Sequence, residues 1–598
     1  MSWGLVWFRN DLRVRDHEAL LTACLEHAGR IIPVYVFDKR QVGPHARTRL
    51  GQFSKCSTPR AQFLVEAVQD LANTLRTHYR GMQLLVYKNA LPENVIPKLI
   101  AELSTEKQVH VGAVYYHREV CSEERAVEDA LRAALCALNQ RGELPAVTLR
   151  PLDGSSTLYH ADDLPSGASV ANMPPVFTSW RKLVEKGARI RAPLPMPDPA
   201  KVQPLPFSLG CDPIPTCARE VIGDNCEQAR LRHRVPWTLP DDATSRVDPR
   251  HACPFRGGES AAQERVQAYT FGTDAIARYK ATRNGLLGTE YSTKWSPYLA
   301  LGNVTSRQLY AVLRRYETER PEKKGISTYW VLFELEWRDF FRFTAMRYGN
   351  ALFWRRGLQA VLRGDPQVAG PSKTWRQDAV LLDRWQTGMT GFPLVDANQR
   401  ELLATGWMSN RGRQNVASFL TKDLEIDWRL GAEWFESLLL DYDACSNYGN
   451  WQYAAGVGLD PRADRHFDVI RQARMYDPEG HYMRRWLPEL ESCTDWSQVL
   501  HLHEHYPEYP APVVRHLHGG RKNLDDAANA PKCAVRGTKS GSRGRRQTKQ
   551  TGKPHREPGW MRQAHTGAVD ILDNRDGSAA LEQNRQTVLD AYLRSQKR

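Results

Sequence analysis

From residue 3 to about 150, short apolar runs alternate with longer amphipathic stretches. "WGLVWFR", "RIIPVYVFD", "MQLLVYK" and "VHVGAVYYH" are short, mostly apolar and rich in β-branched and aromatic residues, which predicts buried strands. Between them, "SKCSTPRAQFLVEAVQDLANTLRTHY" and "SEERAVEDALRAALCALNQ" repeat apolar residues at helical spacing behind capping hydroxyls. Strand–helix alternation of this kind predicts an α/β, doubly wound parallel sheet over residues 1–150. No GxGxxG follows the first strand, which disfavours a nicotinamide-dinucleotide fold. Eight prolines between Pro193 and Pro215 exclude helix, and residues 151–260 read as a connector. Beyond about 260 strand signals vanish. Helical periodicity, as in "TYWVLFELEWRDFFRF" and "GAEWFESLLLDYD", predicts an all-α domain over 261–500. Residues 501–598 form an extension whose Gly, Ser, Lys and Arg content predicts disorder.

At 598 residues the chain is too long for one small core. Its net charge of +14 is unevenly spread: 18 Lys+Arg against 8 Asp+Glu from Arg515 onward leave only +4 for the first 514 residues. A nucleic-acid site in the body is therefore expected to be a local groove, while the tail is a basic arm suited to RNA or other nucleic acid. Within it, "GRRQTKQTGKPHR" has the composition of an import signal. The eleven Cys show no CxxC pair and no metal-ligand rhythm, the pattern of free thiols in a reducing compartment, and no metal is called for. No apolar run of membrane length and no N-terminal transit segment stands out, so a monomer of the cytoplasm or nucleus is the expectation.

Four stretches carry candidate chemistry. In "TEYSTKWSPYLALGNVT", Ser296 before Pro297 predicts a helix N-cap and first helical residue, with Ser292, Thr293 and Lys294 just ahead. Hydroxyls, a cation and free backbone N–H groups at a helix start suit a phosphate, although an ordinary capped helix uses the same residues. In "WMSNRGRQNVASFL" and "LLLDYDACSNYGNW", Arg411 and Arg413 precede Asp441, Asp443 and Asn447. A buried arginine demands a carboxylate, so Arg413 is expected to pair with Asp441. In "FELEWRDFFRF", Glu334, Trp337 and Arg338 share one helix face, able to hold a flat polar base or simply to pack. In "SNYGNWQYAAGVG", Trp451 and Tyr453 stand two positions apart and cannot fill one pocket.

Taken together, "WFRNDLRVRDHEAL", "YSTKWSPYLALG", "ELEWRDFFRF", "TGMTGFPLVDANQRELLATGWMSNRGRQNVASFLTKDLEIDWR" and "DACSNYGNWQYAAGVG" resemble the photolyase/cryptochrome family over about residues 1–495. "STKWSP" and "NWQYAAGVG" look most like its cryptochrome DASH branch. The resemblance implies an α/β antenna domain, a helical domain holding FAD, and methenyltetrahydrofolate as antenna with Glu119 at its pterin. It implies that Tyr279, Ser292, Thr293, Lys294, Trp295 and Ser296 line the FAD phosphates and sugar. Glu334, Arg338, Asn410, Arg413, Asp441, Asp443 and Asn447 would surround the rest, with Asn447 at flavin N5. An electron path would run from Trp451 through Trp428 to Trp375 at the surface, and Glu334, Trp337, Gln414 and Tyr453 would wall a lesion pocket.

The implied activity is that of a deoxyribodipyrimidine photolyase-type lyase, a blue-light-driven repair of cyclobutane pyrimidine dimers. By the same resemblance, enzymes active on duplex DNA carry Trp and Met where this chain has Tyr453 and Gln414. Extruding a base costs roughly a few kcal/mol, and base–aromatic stacking returns about 1–3 kcal/mol per base. Weaker stacking therefore predicts single-stranded DNA as the better substrate. The alternative implied is a blue-light photoreceptor that acts through protein partners or transcription with little repair activity.

Overall fold

A computed structural model describes residues 2–142, 145–153, 156–224, 226–232, 234–237, 248–362, 374–460, 465–496, 499–515 and 517. The tail beyond residue 517, with the nucleic-acid, RNA and import readings placed on it, lies outside the described residues. Five strands build one parallel sheet: β1 (Trp3–Phe8), β2 (Ile31–Asp38), β3 (Leu85–Ala90), β4 (Val111–His117) and β5 (Thr148–Leu152), in the order β3-β2-β1-β4-β5. β1 takes the centre, where Leu5 sits opposite Ile32 on one side and Val114 on the other.

Both faces are dry, as a parallel sheet requires. Val6, Phe8, Tyr35 and Tyr115 face α1 (Glu18–Glu26) and α2 (Thr58–His78). Leu5, Trp7, Val34 and Val114 meet Ile96 and Leu99 of α3 (Pro92–Thr105) and Leu131 of α4 (Ser122–Gln140). The first of these cores runs on into the helical region and takes in Trp295, Trp428 and Trp451. The four strands expected from the pattern form. β5 escapes it because "TLRPL" is a half-exposed edge strand that pairs only with β4.

The proline-rich stretch has no helix, and it is laced to the sheet: Gln203 N–H donates to the Gly29 carbonyl and Asp212 N–H to that of Val86. Ahead of it, however, α5 (Phe177–Gly187) lies inside the span read as connector and buries Phe177 and Trp180. That span is therefore partly core.

Past β5 no further strand occurs among the described residues; Arg376 makes a lone bridge to Ile426. The helices that matter below are α6 (Ser296–Ala300), α7 (Ile326–Tyr348), α8 (Pro393–Thr405), α9 (Asn410–Ser418), α10 (Trp428–Leu438) and α11 (Ala444–Ala455). Asp443 caps α11 by accepting from Ser446 N–H, and Gly456 at φ +75° ends it. Two glycines let the last helices close up. A Cβ on Gly431 of α10 would stand 2.2 Å from Trp451, and one on Gly449 of α11 would stand 2.2 Å from Phe341 of α7. Among the described residues no helix is long and apolar enough to cross a membrane.

Candidate functional site

The helix after "STK" begins one residue earlier than expected. Trp295 is its N-cap and Ser296 its first residue, so the Ser296 hydroxyl is released from capping. It donates instead to Asp441 Oδ2 at 2.6 Å. The same oxygen accepts from Arg413 Nη2 at 2.9 Å. The pair expected from charge alone thus forms, and it recruits a residue of the phosphate-like stretch. Arg413 also donates Nε to the Met408 carbonyl, and its guanidinium lies 5.3 Å over the Trp407 ring. Trp407 was not singled out by sequence. The signal was available in its position six residues before Arg413, in a run where the chain turns from α8 into α9.

Two buried polar atoms here have no hydrogen-bond partner among the described residues: Asp441 Oδ1, an acceptor, and Trp295 Nε1, a donor. Buried polar groups are normally satisfied, so a donor and an acceptor left open in one locality mark where a polar molecule belongs. Tyr279 is buried, its phenol pushed up by burial and by Glu334, and stays a neutral hydrogen-bonding group. Ser292 and Thr293 are half-buried, while Asn410 sits exposed at the first turn of α9.

Lys294 departs from expectation. Its Nζ donates to the carbonyls of Gly288 and Thr289, both at 3.1 Å, and sits 3.3 Å from the Tyr291 ring centroid. Burial pushes the amine down to about 7, and its backbone takes a left-handed φ of +54°. The side chain is thereby turned into the protein and is spent on carbonyls, so the cation of the phosphate reading is not delivered by Lys294.

Glu334 pairs with Arg283, an arginine that sequence reading did not select. Burial raises the Glu334 carboxyl while Arg283 opposes the rise. Arg338 donates to the carbonyls of Ser156 and Leu299 and lies 3.9 Å from Asp443. Burial alone would raise Asp443, but Arg338 and the Ser446 cap contacts hold it below the usual carboxylate range. Asn447 is fixed by its Nδ2 donating to the Ala432 carbonyl at 2.9 Å, so turning the amide would cost that bond.

Trp337 and Tyr453 meet edge to face, with centroids 5.5 Å apart at 86°. Phe341 packs against both, and Phe177 of α5 stacks on Trp337 at 3.7 Å and 15°. Phe177 was not legible beforehand, because a contact across 160 positions of sequence leaves no local pattern, whereas Phe341 lies one turn from Trp337 on the same helix. Glu334, Trp337 and Tyr453 are half-buried, and so is Gln414 on α9.

Trp451 faces the other way. It is 2% exposed, lies on Gly431, and touches Phe435 at 5.1 Å and Trp385 at 6.2 Å. Trp428 begins the helix that carries Gly431, and its ring lies 6.1 Å from Tyr448, one turn before Trp451. Trp375 adjoins the Arg376–Ile426 bridge, two residues short of Trp428, but at 7% exposure it lies beneath the surface and not on it. That bridge folds the segment against the core.

Between sheet and helices, Arg9, Asn10, Arg13, Glu119 and Arg342 line a cavity. Glu119 precedes α4, whose N-cap is Cys121, so it is not an ordinary helix-start acid. It accepts from Arg342 Nη1 of α7 at 3.1 Å and from Asn10 Nδ2 at 3.4 Å. Nearby, Asp11, His17 and His117 bring ligand atoms together. His17 Nδ1 accepts from Leu20 N–H, which leaves the proton on Nε2, 3.1 Å from Asp11 Oδ2. His117 Nδ1 lies 2.6 Å from the same oxygen, so the trio is a buried carboxylate–imidazole cluster.

A parallel-sheet unit is thus continuous with a helical unit that carries an arginine–aspartate pair, open polar atoms and an aromatic wall. Residues 4–200 match the family model described as DNA photolyase, and residues 330–529 match that of the FAD binding domain of DNA photolyase. "Cryptochrome DASH" of Gloeobacter violaceus is 46% identical over 486 residues, 81% of this chain and 85% of that one. "Cryptochrome DASH" of Danio rerio is 42% identical over 562 residues, 92% and 96% of the two chains. The crystal structure of a Synechocystis cryptochrome superposes with a TM-score of 0.71 at 39% identity, covering 88% of this chain and 98% of the other. This chain belongs to the photolyase/cryptochrome family, in its cryptochrome DASH branch, and its helical region is a FAD-binding domain.

Proposed function

We propose that this protein is a blue-light-driven lyase that repairs cyclobutane pyrimidine dimers and prefers single-stranded DNA. The observation that carries the reading is the right-angled wall of Trp337 and Tyr453, half-buried and backed by Phe177 and Phe341. Such a wall offers one indole face and one phenol edge to the two linked pyrimidines of a dimer. Glu334, held by Arg283, stands one helical turn from Trp337 and supplies hydrogen bonding to the base edge. A tyrosine in place of a larger ring limits stacking, and a lesion already unstacked in a single strand needs less of it.

FAD, when bound, supplies the light-excited electron that splits the dimer. Ser296, Arg413 and Asp441 would hold its polar part, with the open Asp441 Oδ1 accepting a hydrogen bond from it and the open Trp295 Nε1–H donating one to it. Arg413 keeps a positive charge beside that place with Asp441 as counterion, and Asn447 keeps its amide aligned through Ala432. Trp451, Trp428 and Trp375, all buried rings along neighbouring turns, would pass electrons inward. Methenyltetrahydrofolate would sit in the cavity of Glu119 and Arg342.

The test is repair by the photoreduced protein under blue light, on matched single- and double-stranded oligonucleotides carrying one thymine dimer. Faster repair of the single strand is the expected result. Equal rates would remove the substrate preference. No repair of either, with FAD bound and reducible, would leave the blue-light photoreceptor acting through partners.

A further inference from the structure

Cys121 and Cys445 are 324 positions apart in sequence, yet their sulfurs lie 3.6 Å apart. Cys121 is the N-cap of α4 on the sheet side, and Cys445 is the second residue of α11. Both are buried, at 7% and 3% exposure. Sulfurs in a disulfide are about 2 Å apart, so closure needs roughly 1.6 Å of side-chain motion.

The surroundings of the two thiols differ. The guanidinium of Arg342 acts on Cys445, whereas Glu124 and Asp443 act on Cys121. The contact with Cys445 and burial push the Cys121 thiol up. The cavity lined by Glu119 and Arg342 opens beside them, since Glu119 is two residues from Cys121 and Arg342 is the cation facing Cys445.

We propose that Cys121 and Cys445 form a reversible disulfide site that ties the sheet unit to α11. A peroxide is the oxidant. The Cys445 sulfur attacks one peroxide oxygen, the O–O bond breaks, and Cys445 becomes a sulfenic acid as one water leaves. The Cys121 sulfur then displaces the hydroxyl from Cys445, forming the S–S bond and releasing a second water. Two thiols are oxidised by two electrons and one hydrogen peroxide is reduced to two waters. The crosslink falls between Asp443 and Asn447 in sequence, so it clamps the start of the helix that carries Trp451 and Tyr453. The site is independent of the repair reading.

Full-length protein is treated with hydrogen peroxide in the dark, its remaining thiols are alkylated, and it is digested without reductant for mass spectrometry. The expected product is a Cys121–Cys445 linked peptide, two hydrogens lighter than the free pair, that disappears on reduction by a thiol. The linked protein should also melt at a higher temperature than the reduced one. In Cys121→Ser, dimedone should trap a sulfenic acid on Cys445; in Cys445→Ser, Cys121 should stay unlabelled. Recovery of both wild-type cysteines as free thiols, or as sulfinic and sulfonic acids without a link, overturns the proposal, because that measurement needs no variant to fold. Dimedone capture on Cys121 overturns the assigned order of attack.

Discussion

Trp451 and Tyr453 leave the same helix two residues apart and enter different worlds. Trp451 is closed in by Gly431, Phe435 and Trp385, with no room for a methyl group. Tyr453 is half-exposed and leans on the half-buried Trp337. Under the proposed function, the difference lets one short helix serve two purposes. A path for electrons needs rings held at constant separation, which close packing provides. A pocket for a bulky lesion needs rings with one face left open, which costs packing but admits a ligand.

The widest gap between the two sides should appear in stability. Trp451→Ala empties a closed site and should cost roughly 3–5 kcal/mol, whereas Tyr453→Ala should cost only about 1–2 kcal/mol, because that smaller ring is less completely buried. Chemical denaturation of both variants checks this, and equal losses would break the comparison. Gly431→Ala comes next: its methyl would press on Trp451 and on Leu420 Cδ2 at 2.6 Å, for a loss of about 1–3 kcal/mol from overpacking. On the open side, Trp337→Ala should cost about 1–3 kcal/mol of stability through the lost contact with Phe177 and weaken binding of a dimer-bearing single strand by about 1–3 kcal/mol, readable by fluorescence titration.

Tyr453→Trp sharpens the comparison from the other direction. An added ring should narrow the single- over double-strand preference by about 1 kcal/mol in relative repair rate. An unchanged ratio would show that ring size is not the cause. The smallest effect concerns pH. The Glu334 carboxyl is raised, so the folded state holds its proton to higher pH than the unfolded chain does. The stability this lends is complete below the ordinary carboxylate value and fades as pH climbs through the raised one. Glu334→Gln should flatten that decline in a melting series run upward from about pH 4.

Much of this arrangement could be read in advance where the physics is local or unforgiving. β1 to β4 are apolar runs that only a buried strand suits. Arg413 had to find a carboxylate, and Asp441 was at hand. β5 could not be read, because an edge strand with Arg150 and Pro151 carries no alternation. Lys294 misled because residue type says nothing of direction. Its left-handed backbone swings the amine inward to Gly288 and Thr289. Phe177 was missed for a third reason: ring-on-ring stacking depends on which distant helices meet, and nothing near Phe177 or Trp337 in sequence shows that theirs do.

Phe177 has a bearing on how such proteins can be cut and recombined. The indole that faces the open pocket rests on a ring contributed from far upstream, ahead of the proline-rich strap. A fragment beginning at residue 261 would keep Trp337 and Tyr453 but lose the plate beneath them. The helical half is thus no portable cartridge. Any chimera that exchanges it should carry the stretch from Phe177 onward from the same parent, or the borrowed pocket arrives without its floor.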